Sequence, residues 1–160
     1  SRRDPASVGL HVEGLDDVLV RLSRCCTPVP PDEIIGFVTR GRGVSVHRAD
    51  CANASSLSAD QPDRLIEVEW DEHADGHFVA SVEVKGLDRP GLLRDVVDVL
   101  ADNQVNVISA NTATSGVDRV AKMRFDFEIG DPAHLDRLLY LIRGVDSVYD
   151  VYRVVPGSEG

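Results

Sequence analysis

The chain lacks any run of about 18 apolar residues, so it offers no transmembrane helix. Its opening stretch, SRRDPASVG, has no apolar core and does not read as a signal peptide. It also starts without Met and is read as a piece of something longer, so a missing targeting segment says little about the parent protein. No P-loop, dinucleotide glycine motif or nucleophile elbow is present, and Gly41-Arg42-Gly43 is only a turn signal. Cysteine is scarce and odd in number. There are three, all in the first third, and three cannot all pair within one chain. That favours a reduced, cytoplasmic setting with metal ligands or free thiols over a disulfide framework.

An excess of basic charge is missing too. The formal net charge is −10, spread as 0 over residues 1–53, −6 over 54–76 and −4 over 77–160. An acidic body argues against broad electrostatic adhesion to nucleic acid. A local contact remains open at Arg40, Arg42 and Arg48, for which a solvated loop face is the commoner role.

What is present is a chain of 160 residues with a 42% hydrophobic share, enough for one ordinary domain or two small ones. Residues 1–10 read as a linker. Residues 11–22 fit a strand or a short helix. Pro28, Pro30 and Pro31 exclude regular helix after Cys26. Ile34–Thr39 and Val44–His47 are strand candidates joined by Arg40-Gly41-Arg42-Gly43, a hairpin turn. His47–Asn53 fits a helical turn, Ala54–Pro62 an exposed connection, and Leu65–Trp70 an alternating strand. Trp70 is expected as a core or interdomain anchor. The acidic segment 71–76 is the expected linker between a first domain, 11–70, and a second, 77–155. The tail 156–160 is expected to be disordered.

From His77 the pattern is regular. Phe78, Ala80, Val82 and Val84 alternate as a strand. Leu92, Leu93, Val96, Val97 and Leu100 recur at helical spacing, with Arg94, Asp95, Asp98 and Asp102 on the wetter side. Pro90 suits the first helical position with Asp88 as a cap, and Asn103 suits a left-handed close. Val105–Thr114 and Val120–Ile129 are further strands. Asp131-Pro132 opens a second helix through Leu135, Leu138, Leu139 and Ile142, which Gly144 ends, and Val145–Val155 is the last strand. The order strand, helix, strand, strand, helix, strand predicts a ferredoxin-like antiparallel sheet with both helices on one face. The fold class is therefore α+β: a small Cys/His β-hairpin domain, then a βαββαβ domain. A sheet face or edge left over suits dimerisation or docking.

Two stretches carry chemistry. Cys25, Cys26, His47 and Cys51 combine three soft thiolates with an imidazole, a set suited to tetrahedral structural zinc. A small apolar site with reduced thiols is the alternative, and adjacent cysteines on one ion are geometrically awkward. The turn before Leu92 leads into a helix N-terminus, whose free N–H groups suit the carboxylate of a small ligand. A plain strand-helix connection is the alternative there. No catalytic residues are assigned.

The stretch RCCTPVPPDEIIGFVTRGRGVSVHRADCAN, residues 24–53, resembles the conserved-cysteine, zinc-finger-like domain of long RelA/SpoT-family alarmone enzymes. It departs at Pro31, where glycine is usual, and at Phe37, where tyrosine is common. Residues 78–154 resemble an ACT domain. The resemblance implies a C-terminal regulatory fragment of a bifunctional (p)ppGpp synthetase/hydrolase, without its N-terminal catalytic domains. It implies structural zinc, contact with the ribosome and tRNA, and a homodimer through the ACT domains. It also implies a branched-chain amino acid such as valine as effector, held across a dimer interface. The residues carried over for that ligand are Asp88, Arg89, Pro90, Gly91, Leu92 and Leu93 in the turn, and Asn106, Val107 and Ile108 in the second strand. Amides at Gly91–Leu93 are expected to take the carboxylate, and Asp88 and Asn106 the ammonium. The competing expectation is a ribosomal RNA and tRNA docking module with no small ligand.

Overall fold

The computed structural model describes residues 10–12, 19–41, 43–71 and 77–154. It divides into two compact units that meet in sequence at Phe78 and Val79. Residues 1–9 of the expected linker 1–10, residues 72–76 of the expected linker 71–76 and the expected tail 156–160 lie outside the described residues, and Leu10 belongs to a strand.

In the first unit the strands are β1 (Leu10–Val12), β2 (Leu19–Leu22), β3 (Ile34–Val38), β4 (Gly43–Arg48), β5 (Leu65–Ile66) and β6 (Val68–Trp70), with helix α1 (Ala52–Asp60) after β4. The main sheet has the order β2-β4-β3-β5, and β1 pairs with β6 in a separate ribbon. β3 and β4 form the expected antiparallel hairpin, while β2 lies parallel to β4. Because strand side chains alternate, the sheet builds two small cores. Val44 and Val46 meet Val68, Ile34 and Ile66 in one, and Phe37 joins Cys26, Cys51, Ala54 and Leu57 in the other. A Cβ at Gly36 would stand 2.8 Å from Val68 Cγ1, so a side chain larger than hydrogen would push the ribbon off the sheet. Trp70 is anchored within this unit, where its indole N–H donates to the Asp32 carbonyl at 2.9 Å.

The second unit runs β7 (Phe78–Leu87), α2 (Leu92–Asp102), β8 (Asn106–Thr114), β9 (Val120–Ile129), α3 (Ala133–Arg143) and β10 (Val148–Val154). Its sheet order is β10-β7-β9-β8, the βαββαβ ferredoxin-like arrangement expected from the sequence. Phe78, Ala80, Val82 and Val84 of β7 and Ala121, Met123, Phe125, Phe127 and Ile129 of β9 are buried. Leu92, Val96 and Leu100 of α2 and Leu135, Leu138 and Ile142 of α3 supply the buried faces of the helices. The other sheet face is polar: Asp126 accepts hydroxyl bonds from Ser81 on β7 (2.6 Å) and Ser109 on β8 (2.7 Å).

Several local expectations are corrected. The polar stretch after Cys51 is a helix, α1, and not a connection. Its Ala and Ser residues give no amphipathic signal, and only Ala54 is buried. Leu65–Trp70 is two strands in two sheets, broken at Glu67. α2 starts at Leu92 with Gly91 as its cap, at φ +79 and with no side-chain cap bond, so neither Asp88 nor Pro90 has the expected helical role. The left-handed residue after α2 is Gln104, not Asn103, while Gly144 ends α3 as expected, at φ −78. Asp131 does cap α3, its carboxylate accepting the Ala133 N–H at 3.0 Å. Leu93 and Val97, expected on the buried helix face, are 42% and 40% exposed.

Candidate metal centre and ligand site

The metal-type residues converge. β4 delivers His47, the Ala49-Asp50 turn delivers Cys51 just ahead of α1, and the turn at Arg24–Cys26 delivers both adjacent cysteines. That turn resolves the awkward pairing of neighbours. The chain doubles back with the Thr27 N–H on the Ser23 carbonyl (3.0 Å) and Thr27 at φ 44, and both sulfurs end on one side. The four ligand atoms lie within 4.8 Å of one another. His47 Nδ1 is 3.4 Å from Cys25 Sγ, 3.9 Å from Cys26 Sγ and 3.8 Å from Cys51 Sγ. Cys25 Sγ is 4.0 Å from Cys26 Sγ and 3.6 Å from Cys51 Sγ. Donors held 2.0–2.3 Å from one tetrahedral ion stand about 3.5–3.8 Å apart; these five separations lie close to that, while the Cys26 and Cys51 sulfurs, within 4.8 Å, would draw together around an ion.

The surroundings suit thiolate ligands unequally. Burial, followed by the neighbouring Cys25 and Cys51, pushes the Cys26 thiol up to about 12 against one hydrogen bond from the Arg48 N–H. Burial also raises Cys25, but hydrogen bonds with Ser23, Asn53, Cys51 and Cys26 outweigh it and leave that thiol below its ordinary value. Burial holds His47 below the usual imidazole range, which keeps it neutral and able to donate a lone pair. A cation here would offset the cost of gathering thiolates. Ser23, Ser45 and Asn53 were not singled out in the sequence. For Ser45 a signal existed, since it stands two residues before His47 on an alternating strand.

The strand-helix turn is the second site. Asp88, Pro90, Gly91 and Leu93 are exposed, and Leu92 is buried. The first intrahelical bond runs from the Asp95 N–H to the Gly91 carbonyl (3.0 Å), so the Leu93 and Arg94 amides lie in the first turn, where a helix supplies no acceptor. Arg89 is committed locally. Its guanidinium donates to Asp95 Oδ2 (2.8 Å), the Asp146 carbonyl (3.0 and 3.2 Å) and the Pro90 carbonyl (3.0 Å), clasping the turn to the loop before β10.

Asn106, Val107 and Ile108 are exposed at the start of β8 but stand away from this turn. Asn106 pairs with Glu128 and Thr114 with Ala121. Asp88 donates its N–H to the Arg119 carbonyl at 2.8 Å, and Ser81 reaches Asp126. Asp88 therefore lies at the Thr114 end of the sheet and Asn106 at the opposite end. Nine residues of strand separate the two levels, about 30 Å. One chain does not bring the expected ligand set together.

Of the three arginines, Arg40 is exposed and Arg42 lies outside the described residues. Arg48 is held by Asp50 through two bonds of 2.9 Å and by Asp32 at 3.6 Å. Among the described residues no helix is long and apolar enough to cross a membrane.

The RelA/SpoT RIS domain family matches residues 10–71, and the ACT domain family matches residues 74–153. A GTP pyrophosphokinase of Streptomyces antibioticus is 54% identical over 99% of this chain and 18% of its own length. The bifunctional (p)ppGpp synthase/hydrolase RelA of Mycobacterium tuberculosis is 55% identical over 98% of this chain and 21% of its own. The ACT domain of a GTP pyrophosphokinase from Chlorobium tepidum overlays 49% of this chain and 99% of its own, at 19% identity and a TM-score of 0.44. The chain thus spans about a fifth of the length of the curated relatives it matches. With a RIS domain followed by an ACT domain accounting for both units, the chain belongs to the RelA/SpoT family, as its regulatory region and not its catalytic domains.

Proposed function

We propose that this region senses an amino acid and biases the N-terminal catalytic domains of a (p)ppGpp synthetase/hydrolase, with the ACT unit paired to a second copy through β8. The observation that carries this reading is the contrast between the two sheet edges. β8 is nine residues long, has no charged side chain in NVISANTAT, and is exposed along nearly its whole length. Such an edge is an open template for another strand. β10, at the other edge, carries Asp150 and Arg153, charged side chains of the kind that discourage edge pairing, whereas the bulge between Val148 and Asp150 has its counterpart on β8 between Val107 and Ser109. Leu93 and Val97 on α2, which leads into β8, add half-exposed apolar surface of the kind a partner covers.

Two β8 strands related by a two-fold axis run antiparallel. Asn106 of one copy then lies at the Thr114 end of the other, the end that holds Asp88 and the α2 N-terminus. In this arrangement the amides of Gly91, Leu93 and Arg94 take a carboxylate, and Asp88 of one copy with Asn106 of the other takes the ammonium. Val107 and Ile108 supply aliphatic walls suited to a branched side chain. Arg89 shapes the turn and does not contact the ligand.

In the first unit, Cys25, Cys26, His47 and Cys51 hold structural zinc, a reading supported by the spacing of the donors and their Cys3His chemistry. Zinc there ties β4 and α1 to the cysteine turn.

The test is calorimetric titration with valine, isoleucine, leucine and an unrelated amino acid. Selective saturable binding of the branched-chain set is the expected result. No heat and no shift in melting temperature with any of them would reject sensing and leave ribosome docking or dimerisation as the role of the region.

A further inference from the structure

We propose that Ser45 is a positioning residue for the metal centre, holding His47 in the tautomer that turns a bare Nδ1 toward the three sulfurs. The inference rests on the metal reading of the Cys25, Cys26, His47 and Cys51 cluster. Ser45 and His47 are two residues apart on β4, so their side chains leave the same face of the sheet. Ser45 Oγ lies 3.2 Å from His47 Nε2, while His47 Nδ1 faces Cys25, Cys26 and Cys51. A neutral imidazole has one N–H and one lone pair. A ligand Nδ1 must carry the lone pair, which leaves the proton on Nε2 with Ser45 Oγ as its acceptor.

The neighbouring Phe37 does not supply that choice. Phe37 meets the imidazole edge-on, with ring centroids 5.6 Å apart and planes at 86°, which fixes the ring's tilt but not its proton. The ring is 6% exposed, so a donor on Nε2 without a partner is penalised. Removing the hydroxyl therefore favours moving the proton to Nδ1, where it points at the sulfurs and blocks the metal. Partners of this kind, which bond the far nitrogen of a ligand histidine, typically change metal affinity about 10- to 100-fold.

The experiment compares the unmodified protein with Ser45→Ala and Ser45→Thr. Zinc affinity is read by competition with a chromogenic chelator, and the His47 tautomer by nitrogen-15 NMR of the metal-free and zinc-loaded protein. The expected result is zinc binding weaker by about 10- to 100-fold in Ser45→Ala, near-complete recovery in Ser45→Thr, and loss of the Nε2–H preference in metal-free Ser45→Ala alone. Equal affinity and an unchanged tautomer in folded Ser45→Ala would overturn the role of Ser45. If the unmodified protein binds no stoichiometric zinc, the metal reading fails by itself. The tautomer of the metal-free protein then decides only whether Ser45 orients the His47 proton: an Nε2–H preference lost in Ser45→Ala supports that, and an unchanged one rejects it.

Discussion

Asp88 and Asn106 stand at opposite ends of one sheet. The Asp88 N–H is bonded to the Arg119 carbonyl at the β8–β9 turn, and Asn106 Nδ2 reaches Glu128 Oε2 at 3.2 Å near the far end of β9. A ligand site that needs both therefore needs two copies of the chain.

A mixing experiment follows from that separation. Asp88→Ala and Asn106→Ala should each abolish branched-chain amino-acid binding as homodimers. In a heterodimer of the two, one site carries both lesions and the other carries none. Random pairing restores about a quarter of the sites, readable by calorimetry. No recovery on mixing, with heterodimers demonstrated, would place the site within one chain.

The exposed edge gives a second outcome. Thr112→Lys puts a charge in the middle of β8 and should shift the protein from dimer to monomer in sedimentation equilibrium, with little change in monomer stability. A dimer of undiminished affinity would move the interface elsewhere.

The metal centre predicts a unit-selective response to chelation. Trp70 is the single tryptophan and bonds the Asp32 carbonyl inside the first unit. Metal removal, or Cys51→Ala, should red-shift and broaden its emission, because structural zinc binding contributes about 10 kcal/mol or more of apparent folding energy in small sites. Unaltered fluorescence after complete metal loss would make the cluster dispensable for the fold.

In the second unit, Gly86 has no room for a methyl group. A Cβ there would stand 2.8 Å from the Ser147 carbonyl oxygen, which accepts the Leu87 N–H, and 3.3 Å from Leu92 Cδ2. Gly86→Ala should cost about 1–3 kcal/mol in urea unfolding. Phe125→Ala, which empties a fully buried position, should cost about 3–5 kcal/mol.

The Arg89–Asp95 pair sets a pH dependence on the acid side. The hydrogen bond from Arg89 holds the Asp95 carboxyl below its ordinary 3.8, outweighing desolvation, with the Arg89 and Arg94 charges adding to it. A lowered folded-state value stabilises above pH 3.8, and the contribution is lost as pH falls through that lowered value. Carbon-13 titration should show Asp95 moving up toward 3.8 in Arg89→Ala. An unmoved value would mean that Arg89 does not carry the shift.

The alternation of Ala121, Met123, Phe125, Phe127 and Ile129 was sufficient by itself to give β9 and its buried face, because strand periodicity is a local property. The order of strands and helices likewise led to the ferredoxin-like sheet, and residue chemistry alone picked out Cys25, Cys26, His47 and Cys51. Helix α1 was not legible, because Ala and Ser at nearly every position carry no apolar period and its packing rests on Ala54 and Leu57. Leu93 and Val97 have the right spacing for a buried stripe, yet the sheet covers only a narrower strip of α2, and how wide a face is covered is a tertiary property. Arg48 stood with Arg40 and Arg42 as a contact candidate, until folding brought Asp32 to it beside the neighbouring Asp50. That Asp88 and Asn106 stand at opposite ends follows from the strand-helix-strand order itself, because α2 carries the chain back across the sheet before β8 begins. That β9 lies between β7 and β8, leaving β8 as an open edge, was decided by tertiary structure alone, because long-range pairing sets it.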